Sequence, residues 1–410
     1  MTKKTHVHLT DLVGLNRLAT DITAGLTDLT EALHNNVASS PGIVGTPMQQ
    51  STSAIAGLVY ESVRGVTRLV GGTTDEMLAR LVPVLEQRSS QEREAVLAAL
   101  NGMIGDYLAS TGNPLAISMR LRRRGRPLTV EMKALSDAIP PPRDKLLLLV
   151  HGLCMNDLQW KRKSTDFGAA LARDLGYTPV YLHYNSGLHT STNGREFADL
   201  IETLLQQWPE PLREFGILAH SMGGLVSRSA YHYGVAAGHT WPQKLRKLIF
   251  LGTPHHGALL ERGGNWVHLC LGLSPYAAPF AGLSKLRSAG ITDLRYGNLL
   301  DEDWEGCDRF EHEGDLRHPV PLPKTIRCYA IAANIGDENT LVGDGMVSIN
   351  SALGRHEDPA MTLSFAPSRQ WVADHTNHWE LLSRPAVYAQ VKDWMASPRK
   401  ASTRSRVATA

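Results

Sequence analysis

The stretch that decides the fold is FGILAHSMGGLVSRSA, Phe215 to Ala230. An apolar run leads into Ser221 and two glycines, and an amphipathic run follows. The first half reads as a strand buried on both faces, the second as a helix. Ala219-His220-Ser221-Met222-Gly223 then fits the small-x-Ser-x-Gly pattern of a nucleophile elbow, a sharp strand-to-helix turn that pushes the serine oxygen above a sheet. Strand and helix approach closely at such a turn, so residues 219 and 223 must be small. Ala219 stands where glycine is usual, and its methyl group is a mild intrusion. The helix after Ser221 aims free N–H groups and a positive dipole end at the hydroxyl.

Working outward, strands and helices alternate. KLLLLV (145–150), TPVYLHY (178–184), RKLIFLG (246–252), TIRCYAIAA (325–333) and MTLSF (361–365) read as further strands. TDFGAALARDLG, FADLIETLLQQW, GGLVSRSAYHYG and a closing segment over 386–395 read as helices. This alternation predicts an α/β fold with a mostly parallel central sheet covered on both sides. A long insertion over about 258–323 contains NWVHLCLGLSPYAAPFAGL, and it is expected to cap the site as a lid. A structural excursion without gating is the alternative.

Residues 1–110 read as a separate helical region. Leu12, Leu15, Ala19, Ile22, Leu26, Leu29 and Leu33 fall on one helical seam. Further helices are expected over 53–70, from about Asp75, and from Ser89, where Ser89 and Glu92 have capping-box spacing. Helix-on-helix packing is the ordinary use of such seams; homo-oligomer formation or peripheral membrane contact are the others. The α/β domain is placed at 111–396, opening with LAISMRLRRRGRPLTVEM, two short strands around Gly125. Its arginines at 120, 122, 123, 124 and 126 are expected in a solvated turn, since no aromatic residue is interleaved with them. The tail 397–410 is basic, rich in small polar residues and expected to be disordered.

Composition excludes several classes. With 42% hydrophobic and 20% charged residues the chain is globular, and a net charge of +2 gives no reason to expect nucleic acid. Cys154, Cys270, Cys307 and Cys328 form no CxxC pair, so a thiolate metal site is not expected. Reduced thiols are expected, with a Cys270–Cys307 disulfide the alternative. The N-terminal MTKKTHVHLTDLVGLN lacks the apolar core of a signal peptide, and no apolar run reaches the length of a membrane span. A cytoplasmic location is therefore expected.

A hydroxyl is a poor nucleophile until a base takes its proton, and the base is best a histidine held in one tautomer by a carboxylate. On an elbow of this kind the chain order is Ser, acid, His. Asp337 and Asp344 both follow the strand TIRCYAIAA. Asp344 is preferred, because Gly343 and Gly345 permit a tight turn and Val347 can anchor it. His375 and His378 both follow the last expected strand. His378 is preferred, because the WELL segment beside it can fix its position. The loop His151-Gly152-Leu153-Cys154 after KLLLLV offers the Leu153 N–H as one oxyanion donor, and the Met222 N–H is the other. His151, Gly152, His220 and Tyr184 are expected to line the substrate pocket. His255 and His256 have no carboxylate or third histidine at ligand spacing, so packing is a better reading than metal binding. No cofactor is implied.

HGLCMND, LHYNSGLHTSTNGREFADLIE, AHSMGGLVSRSA, LGTPHHGALLER, RSAGITDLRYG and GDGMVS together resemble the lipase and esterase branch of the α/β-hydrolase superfamily. Within it the nearest likeness is to bacterial proteins similar to GPI-inositol deacylases and triacylglycerol lipases. The resemblance covers roughly 145–395 and leaves the first hundred residues outside. It implies Ser221 as nucleophile, His378 as base and acid, and Asp344 as the orienting acid. The expected activity is hydrolysis of a carboxylic ester or lipid-like small molecule. Acyl transfer or thioester cleavage by the same groups is one alternative. A non-catalytic interaction protein built on the helical region is another.

Overall fold

A strand of five consecutive buried apolar residues needs cover on both faces, and residues 146–150 have it: all five are fully buried. The computed structural model describes Gly14 and residues 91–258, 287–307, 314–337 and 343–396. Its strands are β1 (Arg120–Arg123), β2 (Arg126–Pro127), β3 (Lys145–Val150), β4 (Lys161–Arg162), β5 (Thr165–Asp166), β6 (Thr178–His183), β7 (Glu214–His220), β8 (Lys247–Leu251), β9 (Arg327–Ala333) and β10 (Gln370–Ala373). The longer helices are α1 (Gln91–Ser110), α2 (Met132–Ala138), α3 (Phe167–Leu175), α4 (Thr190–Gln206), α5 (Met222–Ala236) and α6 (Pro385–Ala396).

Eight strands form one sheet in the order β10-β9-β8-β7-β3-β6-β1-β2, and β4 and β5 form a separate hairpin. From β10 through β6 every neighbouring pair is parallel. β1 runs antiparallel to both β6 and β2. From β3 the chain steps to β6 on one side and returns to β7 on the other, so β3 and β7 flank a topological switch point. In open α/β sheets ligands bind at the carboxyl ends of strands around such a point.

Alternate residues of each strand feed two cores. Leu146, Leu148, Val150, Ile217 and Phe250 pack with Phe197 and Ile201 of α4, Leu225 of α5 and Met103 and Leu108 of α1. Leu147, Leu149, Leu218, Ile249 and Ile331 pack on the opposite face with Phe167 and Leu171 of α3 and Val387 and Trp394 of α6. The architecture is that of an α/β-hydrolase.

Two expectations are corrected. MTLSF (361–365) is not a strand of the sheet; the sixth parallel strand is QWVA, β10. Leu363 and Phe365 are buried in alternation, which imitates a strand, but the Leu363 N–H donates to Gly354 O in a loop. The hairpin around Gly125 exists, yet its arginines are not all solvated. Arg122 is buried and paired with Glu94 of α1 at 2.8 Å and Asp157 at 2.9 Å. As the residue after Leu121 on β1 it points to the opposite face, and it is buried there too, with Glu94 and Asp157 offsetting the cost of burying a guanidinium.

Of the long insertion, 287–307 and 314–323 are described. Ser288, Ala289, Ile291, Leu294 and Leu299 are buried there, so this part is a packed wall. The leucine seam, the helices expected over 53–70 and from Asp75, residue 270, the stretch 259–286 and the tail lie outside the described residues. Cys307 is an exposed free thiol, and Cys154 and Cys328 are buried free thiols. Among the described residues no helix is long and apolar enough to cross a membrane.

Candidate functional site

Ser221 sits between β7 and α5 at φ 53°, ψ −129°. A non-glycine residue there is strained and persists only if its surroundings over-determine it. They do so by hydrogen bonds and by close backbone approach. The Ser221 N–H donates to Leu251 O at 2.9 Å, and the Gly224 N–H donates back to Ser221 O at 2.9 Å. A Cβ on Gly223 would lie 2.5 Å from the carbonyl oxygens of both Val150 and His151. Gly223 is therefore the condition for α5 to start over the end of β3.

Asp344 and His378, 34 residues apart, meet in the interior. Oδ2 of Asp344 accepts from His378 Nδ1 at 2.6 Å, with both side chains almost fully buried. Oδ1 accepts from the N–H groups of Met346 at 2.9 Å and Val347 at 2.7 Å. Gly343 and Gly345, at φ 83° and 92°, carry the turn that folds these donors onto the carboxylate. The His378 N–H donates to Asp344 O at 3.2 Å, so backbone and side chain both tie the pair. With Nδ1 donating to the carboxylate, Nε2 is left with its lone pair. That atom is buried and has no hydrogen-bond partner among the described residues.

Gly252 links this pair to the serine. It follows Leu251, the acceptor of the Ser221 N–H, and a Cβ at 252 would stand 3.2 Å from both Asp344 Oδ2 and His378 Cε1. Hydroxyl-bearing residue, imidazole and carboxylate thus gather over the adjacent ends of β7 and β8. By contrast Asp337 and His375 are exposed. His375 is at φ 51°, with its N–H donating to Gly336 O.

His220 plays a part the sequence did not disclose. Its ring lies 4.8 Å from that of His378, and Nε2 faces His378 O at 3.2 Å. A carbonyl only accepts, so Nε2 carries the proton and Nδ1 is bare. Burial, then the neighbouring His378, holds the His220 pKa well below the ordinary histidine value. Trp160 and Trp379 close around the His220 ring at 6.5 and 6.1 Å. The neutral ring is a wedge that fixes the backbone of residue 378.

The loop after β3 runs beside the elbow: a Cβ on Gly152 would lie 2.9 Å from Ser221 Cβ and 3.3 Å from His220 Nδ1. Leu153 follows, fully buried, and Met222 opens α5. Neither backbone N–H is engaged in a hydrogen bond among the described residues. His151 is stacked on Tyr184 with ring centroids 4.3 Å apart, and the Tyr184 hydroxyl donates to His151 O at 2.8 Å. Burial drives the His151 pKa down to about 3, so the ring is neutral. His151 and Tyr184 support the loop from behind.

His255 and His256 face cations. Arg228 Nη1 approaches His255 Nδ1 at 3.3 Å, and Arg317 Nη2 approaches His256 Nδ1 at 3.4 Å. Burial lowers Arg228 to about 9 and His256 to about 3. Two guanidinium groups would repel a metal ion from this pair, and no metal-ligating cluster occurs among the described residues.

A family model described as a domain of unknown function, DUF7379, matches residues 125–285. No curated protein matches the chain. Among solved structures, the mature form of the Bacillus licheniformis lipase BlEst2 is 19% identical with a TM-score of 0.40, covering 68% of this chain and 98% of its own. Aspergillus fumigatus lipase B is 12% identical with a TM-score of 0.42, covering 94% and 85%. A NocB thioesterase domain crystallised with a fluorophosphonate nocardicin G analogue is 13% identical with a TM-score of 0.33, covering 61% and 92%.

Proposed function

We propose that the protein is a serine carboxylic ester hydrolase working through an acyl-enzyme. The observation that carries this is the 2.6 Å contact between His378 Nδ1 and Asp344, assembled beside a serine held in the strained elbow conformation. The carboxylate fixes the tautomer in which Nε2 can accept a proton. Ser221 Oγ attacks the ester carbonyl while Nε2 takes its proton. The N–H groups of Leu153 and Met222 receive the oxyanion, each worth roughly 3 kcal/mol of transition-state stabilisation. The imidazolium protonates the departing alkoxide oxygen; the imidazole so formed takes a proton from a water that attacks the acyl carbonyl, and returns it to Ser221 Oγ as the acid leaves.

The direct test is hydrolysis of p-nitrophenyl esters of graded chain length by wild type and Ser221→Ala. Wild type is expected to turn over and to be labelled by a fluorophosphonate, and the variant to do neither. A folded Ser221→Ala protein with wild-type turnover ends this mechanism. A native protein that is neither active nor labelled favours a non-catalytic role. Thioester cleavage and acyl transfer would use the same groups, and product analysis with acyl-CoA or added alcohol separates them from ester hydrolysis.

A further inference from the structure

We infer that α1 is part of the catalytic machinery: Gly102 of α1 and Ser186 are positioning residues that hold Cys154, and through it the Leu153 N–H, where an oxyanion forms. The inference rests on Ser221 acting on an ester or related carbonyl. It concerns a helix outside the sequence resemblance.

Cys154, one residue after Leu153, is at φ 58°, a left-handed conformation that a side chain disfavours. Nothing about cysteine selects it, so neighbours must impose it. From one side the Cys154 N–H donates to Ser186 Oγ at 3.1 Å. From the other, the backbone of α1 presses on it. A Cβ on Gly102 would lie 2.4 Å from Cys154 Sγ, 2.8 Å from its N and 2.9 Å from its Cα. The thiol lies 3.8 Å from Ala99 O, one turn earlier on the same helix. Residue 154 is thus clamped between α1 and Ser186. The clamp fixes the Leu153–Cys154 peptide, and the Leu153 N–H, on the peptide plane before it, is held through the shared Leu153 Cα.

The clamp is itself anchored. Helix α1 lies on the loops after β3 and β6 through a seam of glycines. A Cβ on Gly105 would fall 1.9 Å from Asn185 Oδ1, and one on Gly187 2.1 Å from Asn101 O. Asn185 Nδ2 donates to Gly105 O at 2.9 Å, and Ser288 Oγ donates to Gly102 O at 2.6 Å. Between those two carbonyls Ile104 leaves helical geometry, at φ −138°, ψ 24°. The kink turns backbone acceptors toward the loops, and loop side chains satisfy them. A helix used only as packing would need neither the kink nor three glycines at its contact.

An oxyanion donor contributes only if aimed at the oxygen as charge develops, so its misplacement lowers kcat and leaves ground-state binding nearly untouched. The test compares full-length wild type, Gly102→Ala and Ser186→Ala in p-nitrophenyl butyrate hydrolysis, with Ser221→Ala as the blank. Alanine is the better helix former, so a loss in Gly102→Ala comes from the contact with residue 154. Both variants are expected to lose kcat by about 10- to 100-fold with KM within about threefold of wild type, and to react with a fluorophosphonate correspondingly more slowly. Folded variants with wild-type kcat, or with KM raised and kcat kept, overturn the inference. Should Gly102→Ala not fold, Ser186→Ala, which removes one oxygen atom, decides alone. An inactive, unlabelled wild type overturns the ester-hydrolase reading and this inference together, whereas active wild type with active variants overturns only the latter.

Discussion

Asp344 is positioned to be tested one atom at a time. Its Oδ1 accepts two backbone N–H groups, from Met346 and Val347, and its Oδ2 faces His378 Nδ1. In Asp344→Asn the amide oxygen would stay with the two backbone donors, because only an acceptor fits there. The amide NH2 would then face Nδ1, which must become an acceptor, and the proton would move to Nε2. The ring would keep its place but lose its basic atom toward Ser221. A fall in kcat on the order of 10³- to 10⁴-fold is expected with the fold intact, measured by steady-state kinetics beside a thermal melt. Activity within about tenfold of wild type would show that the carboxylate does not set the tautomer. At this scale the contact between Asp344 and His378 could be anticipated from the sequence. Gly343 and Gly345 signalled a tight turn at Asp344, and the anchoring WELL segment distinguished His378 from His375. The left-handed Cys154 was not legible, since its conformation is imposed by Gly102 and Ser186 from elsewhere in the chain. The role of His220 was hidden for the same reason: its partner is a backbone carbonyl 158 residues away.

At the scale of elements, the crossing of β7, α5 and the end of β8 depends on two successive glycines that differ in what they touch. At Gly223 a Cβ meets carbonyl oxygens of β3 and its exit, which cannot move without breaking the sheet. At Gly224 it meets side chains instead, 2.0 Å from Thr253 Oγ1, 2.6 Å from its Cγ2 and 2.8 Å from Phe250 Cδ1. Overpacking of this sort costs about 1–3 kcal/mol. Gly224→Ala should therefore lower the unfolding free energy by that amount in urea titration. Thr253→Ala should recover the part due to Thr253 in the double variant, since its hydroxyl is buried with no hydrogen-bond partner among the described residues, while the contact with the Phe250 ring remains. Additive losses in the double-mutant cycle would mean that the two residues do not collide. Strand identity at this scale was readable where both faces are buried, as in KLLLLV, and misread at the sheet edge. Trp371 and Val372 of β10 are only half-buried, so QWVA carries no apolar run, while Leu363 and Phe365 alternate in a loop. Arg122 was misread as solvated because its partners, Glu94 and Asp157, lie on separate segments.

Across the whole molecule, the two cores and the site between them enclose an unusual set of rings. His151, His183, His220, His255 and His256 all have pKa values lowered chiefly by burial, to about 3 for His151 and His256. The consequence for stability has a definite sign. A histidine whose folded pKa lies below its unfolded value is neutral in the folded protein while the unfolded chain takes up a proton. Its contribution is complete above about pH 6.5 and is lost progressively as the pH falls toward the folded pKa. Within that window each fully suppressed histidine removes about 1.4 kcal/mol of stability per pH unit. Several acting together outweigh a single surface ion pair. Asp157 adds to the loss at lower pH: burial acts to raise its pKa, but His183 and Arg122 together hold it below the usual carboxylate range. The expected result is a melting temperature nearly level from pH 8 to 7 that drops steeply from pH 6 to 5, with more than two protons taken up on unfolding at pH 5.5. Calorimetry across that range, paired with urea titrations at each pH, measures both. His255→Phe, which discards one buried ring facing Arg228, should reduce the proton uptake by nearly one. A melting temperature that stays level down to pH 5 would mean that these rings are not held neutral by the fold.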